Sequence, residues 1–155
     1  MAAVLGALVL QSRSHGTPGD ATRHSATVQR VVDGDTVRLV GLGSVRLIGI
    51  DTPEVYGGRV ECFGPEASAF AKSILRPGTR VRYRVGREAR DRYGRLLAYV
   101  WLGDGRLFNA MLAERGYATT LTIAPNDDLA ARFRAAEKRA RHGHRGMWRR
   151  PGCAT

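Results

Sequence analysis

Only two cysteines, Cys62 and Cys153, occur among the 155 residues, and this scarcity excludes a zinc site built on thiolates alone. Neither His142 nor His144 stands at ligand spacing from them. Their options are one disulfide or two free thiols. Long hydrophobic runs are missing too. The one apolar stretch, Ala2 to Leu10, is far too short to cross a bilayer, and no Lys or Arg precedes it. It reads either as the apolar core of a signal peptide whose basic start lies upstream or as an ordinary tail. Export to a secreted or cell-surface state is the expectation, because an exposed apolar tail has no evident use in the cytoplasm, although no clean small-x-small cleavage site follows. No repeat or low-complexity tract is present, so the chain is not a repeat array.

Acidic residues are also in short supply. There are 14 Asp+Glu against 25 Lys+Arg, a formal charge of +11, and nearly all the cations are arginine. Such a surface attracts polyanions, nucleic acid first and anionic membrane second. No basic amphipathic helix carrying aromatic residues supports the membrane reading, and stable membrane insertion is not expected. The hydrophobic share of 43% and charged share of 25% are ordinary for a globular protein of one domain. The expected division is an apolar segment and linker over 1–25, one domain over 26–148 and a tail over 149–155, with a monomer as the default.

Runs rich in Val and Thr at Ala26–Val32 and Thr36–Val40 are split by Asp33-Gly34, a dipeptide that favours a tight hairpin. A third strand is expected over Ser44–Ile50, ending before Thr52-Pro53. Tyr56–Phe63 reads as an exposed loop with Glu61 facing water. Pro65 opens a helix whose Ala67, Phe70, Ala71, Ile74 and Leu75 share one face. Arg80–Val85 alternates, with Arg80, Arg82 and Arg84 as a basic stripe. Gly86–Gly94 reads as a charged turn, Leu96–Leu102 as an apolar strand, and Phe108–Arg115 as a short helix ended by Gly116. Tyr117–Ile123 is Thr-rich and extended. Asn126-Asp127-Asp128 is expected to cap a third helix with a seam of Leu129, Phe133, Ala136 and Ala140. In that basic helix and its tail, Glu137 is the lone acid. The pattern predicts an α+β fold, a five-stranded OB-fold Greek-key β-barrel with three helices.

The stretch Asp33–Glu54 concentrates chemistry. Asp35, Asp51 and Glu54 repel when ionised, so a fold that gathers them needs a cation or a proton. Arg46 shares strand parity with Ile48 and Ile50, which places a guanidinium among apolar side chains; its partner is either a structural carboxylate or a ligand phosphate. Parity also sends Asp51 and Arg46 to opposite faces unless the strand bends before Thr52-Pro53. With that bend, Asp35 and Asp51 can share a hard cation, calcium first and magnesium next, leaving Glu54 as a base on water. Phosphodiester hydrolysis needs a cation, a base and cationic donors, and Arg95 completes the set.

The strings V-D-G-D-T, R-L-I-G-I-D-T-P-E, F-G-P-E-A-S-A-F and D-R-Y-G-R-L-L-A-Y, in that order, resemble the staphylococcal nuclease (thermonuclease) family over about Ala26 to Trp148. The resemblance implies an OB barrel and a nuclease using one calcium ion on DNA and RNA to leave 3′-phosphate ends. It makes Asp35, Asp51 and the Thr52 carbonyl the calcium ligands, Glu54 the general base, and Arg46 and Arg95 the groups that hold the scissile phosphate. Tyr93 would help bind a terminal phosphate or a base, with Arg92 where the family often has lysine. The alternative is a noncatalytic OB module that binds single strands. Two departures stand out. Between Gly116 and Pro125 the best-known members carry paired tyrosines that pack on a base and sugar, whereas this chain has one Tyr followed by smaller residues, so base stacking should be weaker. Those members also lack cysteines; here a disulfide between Cys62 and Cys153 would pin the C-terminal tail to the site-side loop.

Overall fold

Short β-branched runs punctuated by Gly, Asp and Pro favour extended backbone and sharp reversals, and the chain folds accordingly. The computed structural model describes residues 23–57, 60–150 and 152–153. Of the expected apolar segment and linker over 1–25, residues 1–22 lie outside these described residues, and His24 and Ser25 already belong to the first strand. In chain order the elements are β1 (His24–Val31), β2 (Thr36–Leu39), β3 (Gly43–Leu47), β4 (Gly49–Asp51), α1 (Gly64–Ile74), β5 (Arg80–Arg90), β6 (Leu96–Leu102), α2 (Phe108–Glu114), β7 (Thr119–Leu121) and α3 (Ala130–His142), followed by a 3₁₀ turn at Gly146–Arg149. Strands β1, β2, β3, β6 and β5 close a barrel in that order, while β4 and β7 form a separate two-stranded ribbon. The barrel is antiparallel except between β3 and β6, where Val45, Arg46 and Leu47 run parallel to Leu96, Leu97 and Ala98. The α+β barrel with three helices is thus the fold the sequence pattern predicts.

Its departures from that pattern matter for the site. The expected third strand breaks at Ile48–Gly49 into β3 and β4. Gly49 has φ 83°, and a Cβ there would land on the Phe133 ring, so any other residue meets both backbone strain and a clash. Asn109, fully buried on α2, holds the break: its Nδ2 donates to the carbonyls of Ile48 (2.9 Å) and Ala98 (3.3 Å), and its Oδ1 accepts the Val100 N–H at 2.9 Å. The freed strand end then pairs with the Thr-rich segment, Asp51 opposite Thr119.

Two expected turns and caps are corrected. The charged turn at 86–94 is mostly strand, since β5 runs on to Arg90 and only Asp91 to Gly94 reverses the chain. Asn126, Asp127 and Asp128 make no side-chain cap on α3, which begins at Ala130. Asn126 instead brackets the backbone of Glu88, accepting its N–H (3.0 Å) and donating to its carbonyl (2.9 Å), and Asp128 pairs with Arg84 and Arg87. Long-range partners outcompete the local cap because β5 passes beside this segment with amide groups to satisfy.

The α3 seam is as expected, with Phe133, Ala136 and Ala140 buried and Leu129 packed against the core. Glu137 is not part of a solvated basic face. It is 7% exposed; its Oε2 accepts the backbone N–H of Thr120 (3.0 Å) and the Thr120 hydroxyl, and its Oε1 accepts from Arg141 at 2.6 Å. Burial pushes this carboxyl up, but the bonds from Thr120 and Arg141 outweigh it, so it lies below the usual glutamate range. A depressed folded-state pKa contributes stability that is complete above the unfolded value and lost as pH falls through the folded one. Glu137→Gln should therefore flatten the loss of urea resistance on acidification and cost about 1–3 kcal/mol at neutral pH, read from denaturation midpoints.

Candidate active site

The β1–β2 turn is an Asp-closed one: Asp33 Oδ1 accepts the N–H groups of Asp35 (3.1 Å) and Thr36 (2.7 Å). Gly34 has no positive φ; its role is close approach, because a Cβ there would lie 2.6 Å from the Thr52 hydroxyl. That approach seats Asp35, 6% exposed, against the end of β4. Asp35 Oδ2 accepts from the Thr52 N–H (2.9 Å) and hydroxyl (3.0 Å), and Oδ1 accepts from the Thr36 hydroxyl at 3.2 Å.

Arg46 finds its partners on this same rim. Its Nη1 donates to the carbonyls of Leu47 and Ile50 at 2.8 Å each, Nη2 to Asp51 Oδ1 at 2.6 Å, and Nε stands 3.1 Å from Asp35 Oδ1. The break at Ile48–Gly49, earlier than the bend expected before Thr52-Pro53, resolves the parity conflict by swinging Ile50 and Asp51 back beneath the guanidinium. In this arrangement its partners are structural carboxylates and carbonyls, and one Nη2 N–H remains for an incoming oxygen.

Glu54 is exposed, but its backbone is boxed in. Its N–H donates to Glu61 Oε2 (3.0 Å), its carbonyl accepts the Glu61 N–H (2.9 Å), and a Cβ on Gly64 would lie 2.6 Å from that carbonyl. Between Glu61 and Gly64 the expected exposed loop turns inward: Phe63 is buried with φ 72°, a conformation that costs a non-glycine residue about 1–2 kcal/mol. Its surroundings hold it there, with Tyr117 stacked at 5.5 Å, Arg150 over the ring at 5.2 Å, and Cys62 disulfide-bonded to Cys153. Burial, then Asp35, Asp33, Asp51 and Glu61, raise the Glu54 carboxyl above its ordinary value. Burial raises Asp51 as well, helped by Asp35 and Glu61 and opposed by Arg46. Asp35 and Asp51 meet at the Arg46 guanidinium, while Glu54 stands on the adjoining exposed segment.

Arg95 is aimed by Asp91. The Asp91 Oδ2 accepts from Arg95 Nε at 2.7 Å while Oδ1 accepts the N–H groups of Arg95 (2.9 Å) and Tyr93 (3.0 Å). Burial pushes Asp91 up, yet these bonds hold it below the usual aspartate range. Arg95 and Arg46 line one cavity of about 380 Å³ together with Arg92, Tyr93, Leu121 and Ile123. Tyr93, 67% exposed, lies under the guanidinium groups of Arg92 (4.8 Å) and Arg95 (5.4 Å). A second cavity of about 410 Å³ has Asp51, Thr52, Glu61, Cys62 and Cys153 in its walls. The Arg46–Asp51 pair therefore joins the two hollows.

Two aspartates that meet at Arg46 and the Thr52 carbonyl are oxygen donors of the kind a hard cation takes. Among the described residues no three His, Cys, Asp or Glu groups form a ready-made cage, so water or substrate oxygens would complete the coordination. Sequence reasoning missed Asp91, Glu61 and Asn109. Asp91 had a signal, the acid four residues before Arg95; the other two had none, because their partners are distant in the chain or are backbone groups.

A closed five-stranded barrel with Arg46, Arg92 and Arg95 on one cavity, and with Asp35 and Asp51 paired to Arg46, defines an OB-type protein. The profile of the family described as staphylococcal nuclease homologue matches residues 44–150. The chain is 42% identical over 136 residues to a thermonuclease of Staphylococcus intermedius, covering 84% of this chain and 80% of that protein. It is 38% identical over 134 residues to a thermonuclease of Staphylococcus hyicus, covering 83% and 78%. Endonuclease YhcR of Bacillus subtilis (strain 168) is 34% identical over 154 residues, covering 91% of this chain but 13% of that much longer protein. The chain belongs to the staphylococcal nuclease homologue family, and it is a nuclease.

Proposed function

We propose that this nuclease is a calcium-dependent phosphodiesterase that hydrolyses DNA and RNA with little sequence preference, leaving 3′-phosphate ends. The observation that carries the reading is the cavity shared by Arg46, Arg92 and Arg95, with Asp35 and Asp51 drawn to Arg46 at its edge. Asp35, Asp51 and the Thr52 carbonyl would hold one calcium ion. When bound, the ion polarises a phosphate oxygen and offsets the rim's negative charge.

The chain's own groups do the rest. Glu54 takes the proton of the attacking water. Arg46 and Arg95 donate to the nonbridging oxygens as charge gathers on them in the transition state. Asp91 keeps the Arg95 fork turned toward the cavity, and Arg92 with Tyr93 offers a cation and a ring to a terminal phosphate or a base. Leu121 and Ile123 make an apolar but non-aromatic wall, which can cover a base without stacking on it strongly. Sequence preference should accordingly be slight.

The disulfide fits an oxidising compartment and supports secretion or display at the cell surface. No described helix is long and apolar enough to cross a membrane. The protein acts as a monomer. The test is digestion of single-stranded DNA, duplex DNA and RNA with calcium, with magnesium and with a chelator, followed by mapping of product ends. Cleavage should appear with calcium, leave 3′-phosphates and vanish with the chelator; activity that survives the chelator sinks the metal mechanism. Binding without cleavage in calcium would make the protein a noncatalytic single-strand-binding barrel instead.

A further inference from the structure

The general base stands on a segment whose neighbours Thr52 and Tyr56 are tied to Asp35 and to the Val32 carbonyl, while its own backbone is held by one residue. Glu54 is exposed and follows Pro53 at the mouth of the site, and the hydrogen bonds that fix its backbone both come from Glu61. Glu61 is in turn followed by Cys62, whose sulfur is bonded to Cys153 across 91 residues of chain. The next residue, Phe63, keeps a left-handed backbone, and Gly64 packs on the Glu54 carbonyl. Glu61, Cys62, Cys153, Asp51 and Thr52 all border one cavity. The bridge therefore lies beside the chemistry, and the C-terminal tail is the far anchor of the segment that places the base.

We propose that Glu61 and the Cys62–Cys153 disulfide position Glu54, so that hydrolysis is coupled to the redox state of this disulfide. The inference rests on the reading of Glu54 as the base. Glu61 is a positioning residue that acts by holding the Glu54 N–H and carbonyl. A strained Phe63 persists only while its surroundings over-determine it, and the disulfide is the covalent part of those surroundings.

Cys62 is exposed, Cys153 is half-buried, and both face the open cavity, so a small dithiol can reach them. A reductant thiolate attacks one protein sulfur, the S–S bond breaks, and a mixed disulfide forms. The reductant's second thiol then displaces the protein sulfur. Two electrons and two protons pass to Cys62 and Cys153, and the reductant leaves as its own disulfide. Arg150, which holds Glu66 at 2.8 Å, is then left as a noncovalent anchor of the tail. The enzyme is full strength where disulfides persist and weakened in a reducing compartment.

The test compares five proteins: the parent oxidised and after dithiothreitol, the Cys62→Ser/Cys153→Ser double variant, and the single variants Glu61→Ala, Glu61→Gln and Glu54→Gln. Two readouts are taken, kcat and KM on single-stranded DNA with calcium, and amide hydrogen exchange in the metal-free protein. Reduction, the double serine variant and Glu61→Ala should each lower kcat on the order of tenfold, as a misplaced catalytic group does, with KM changed less than about twofold. Exchange at the Glu54 amide should quicken while the amides of β3 keep their protection. The double serine variant should not respond to dithiothreitol, and Glu61→Gln, which retains an acceptor oxygen, should recover most of the rate. Unchanged kcat and unchanged Glu54 exchange on reduction would overturn the proposal. So would loss of protection in β3 together with Glu54, since the bridge would then be a global staple. Glu54→Gln separates the two readings: a parental rate in that variant removes the base assignment itself, whereas a slow Glu54→Gln beside a fully active reduced parent removes only the positioning role.

Discussion

Glu54→Gln should lower kcat by about 10²–10⁴-fold, the range that a positioned general base contributes, and should leave the fold intact. The amide keeps the size of the side chain and its place on the segment after Pro53, and the backbone bonds to Glu61 do not involve the substituted atoms. The variant should be as stable as the parent or slightly more so at neutral pH. The sign follows from the raised carboxyl: a folded-state pKa above the unfolded one means that the folded rim disfavours the ionised form, so removing that charge relieves first its desolvation and then the repulsion from Asp35, Asp33 and Asp51. Calorimetry alongside steady-state kinetics checks both halves. A Glu54→Gln protein that cleaves DNA at the parental rate ends the assignment.

Gly49→Ala should be among the most damaging single changes to the fold, at roughly 2–5 kcal/mol. Left-handed backbone costs an alanine about 1–2 kcal/mol, and the new methyl must displace the Phe133 ring from a close-packed core, which costs about 1–3 kcal/mol more. Phe133 also packs on Tyr99 at a centroid distance of 6.2 Å, so the ring has little room to retreat. The damage should reach the site as well, because Gly49 sets the angle at which β4 leaves the barrel and brings Asp51 to Arg46. Urea denaturation read by tryptophan fluorescence measures the first effect. The second predicts that the variant, at temperatures where it remains folded, still loses activity; full activity in a folded Gly49→Ala protein would show that the break does not set the site.

Much of the barrel was legible because strand formation here follows local patterns. The Val- and Thr-rich runs, the Asp33-Gly34 turn and the alternation from Arg80 to Val85 are properties of neighbours in sequence, and they identify the five strands that close the barrel. The helix after Pro65 was legible for the same reason, with apolar residues falling on one face. What misled was local chemistry overruled at a distance. Asn126 has the side chain of a helix cap but serves the backbone of Glu88, and Glu137 has the surroundings of a solvated acid but turns inward to Thr120. Gly34 looks like a turn glycine, yet its lack of a side chain is needed by Thr52 rather than by its own backbone.

The candidate site divides along the same line. The sequence alone determined its candidate groups: the carboxylates, the arginines, a proline-rigid strand end and two cysteines, because side-chain type and strand parity are written residue by residue. Parity even exposed the conflict between Arg46 and Asp51. Only the tertiary structure decided how that conflict is resolved, with a break at Ile48–Gly49 held by Asn109 from α2 and by the close approach of Phe133 from α3. The same holds for the partners of Arg46, for the clamp of Glu61 on Glu54 and for the pairing of Cys62 with Cys153. Each of these depends on groups brought together by closing the barrel and docking helices or the tail against it, and the free energy of such contacts comes from burial and from satisfied polar groups that no local window of sequence contains.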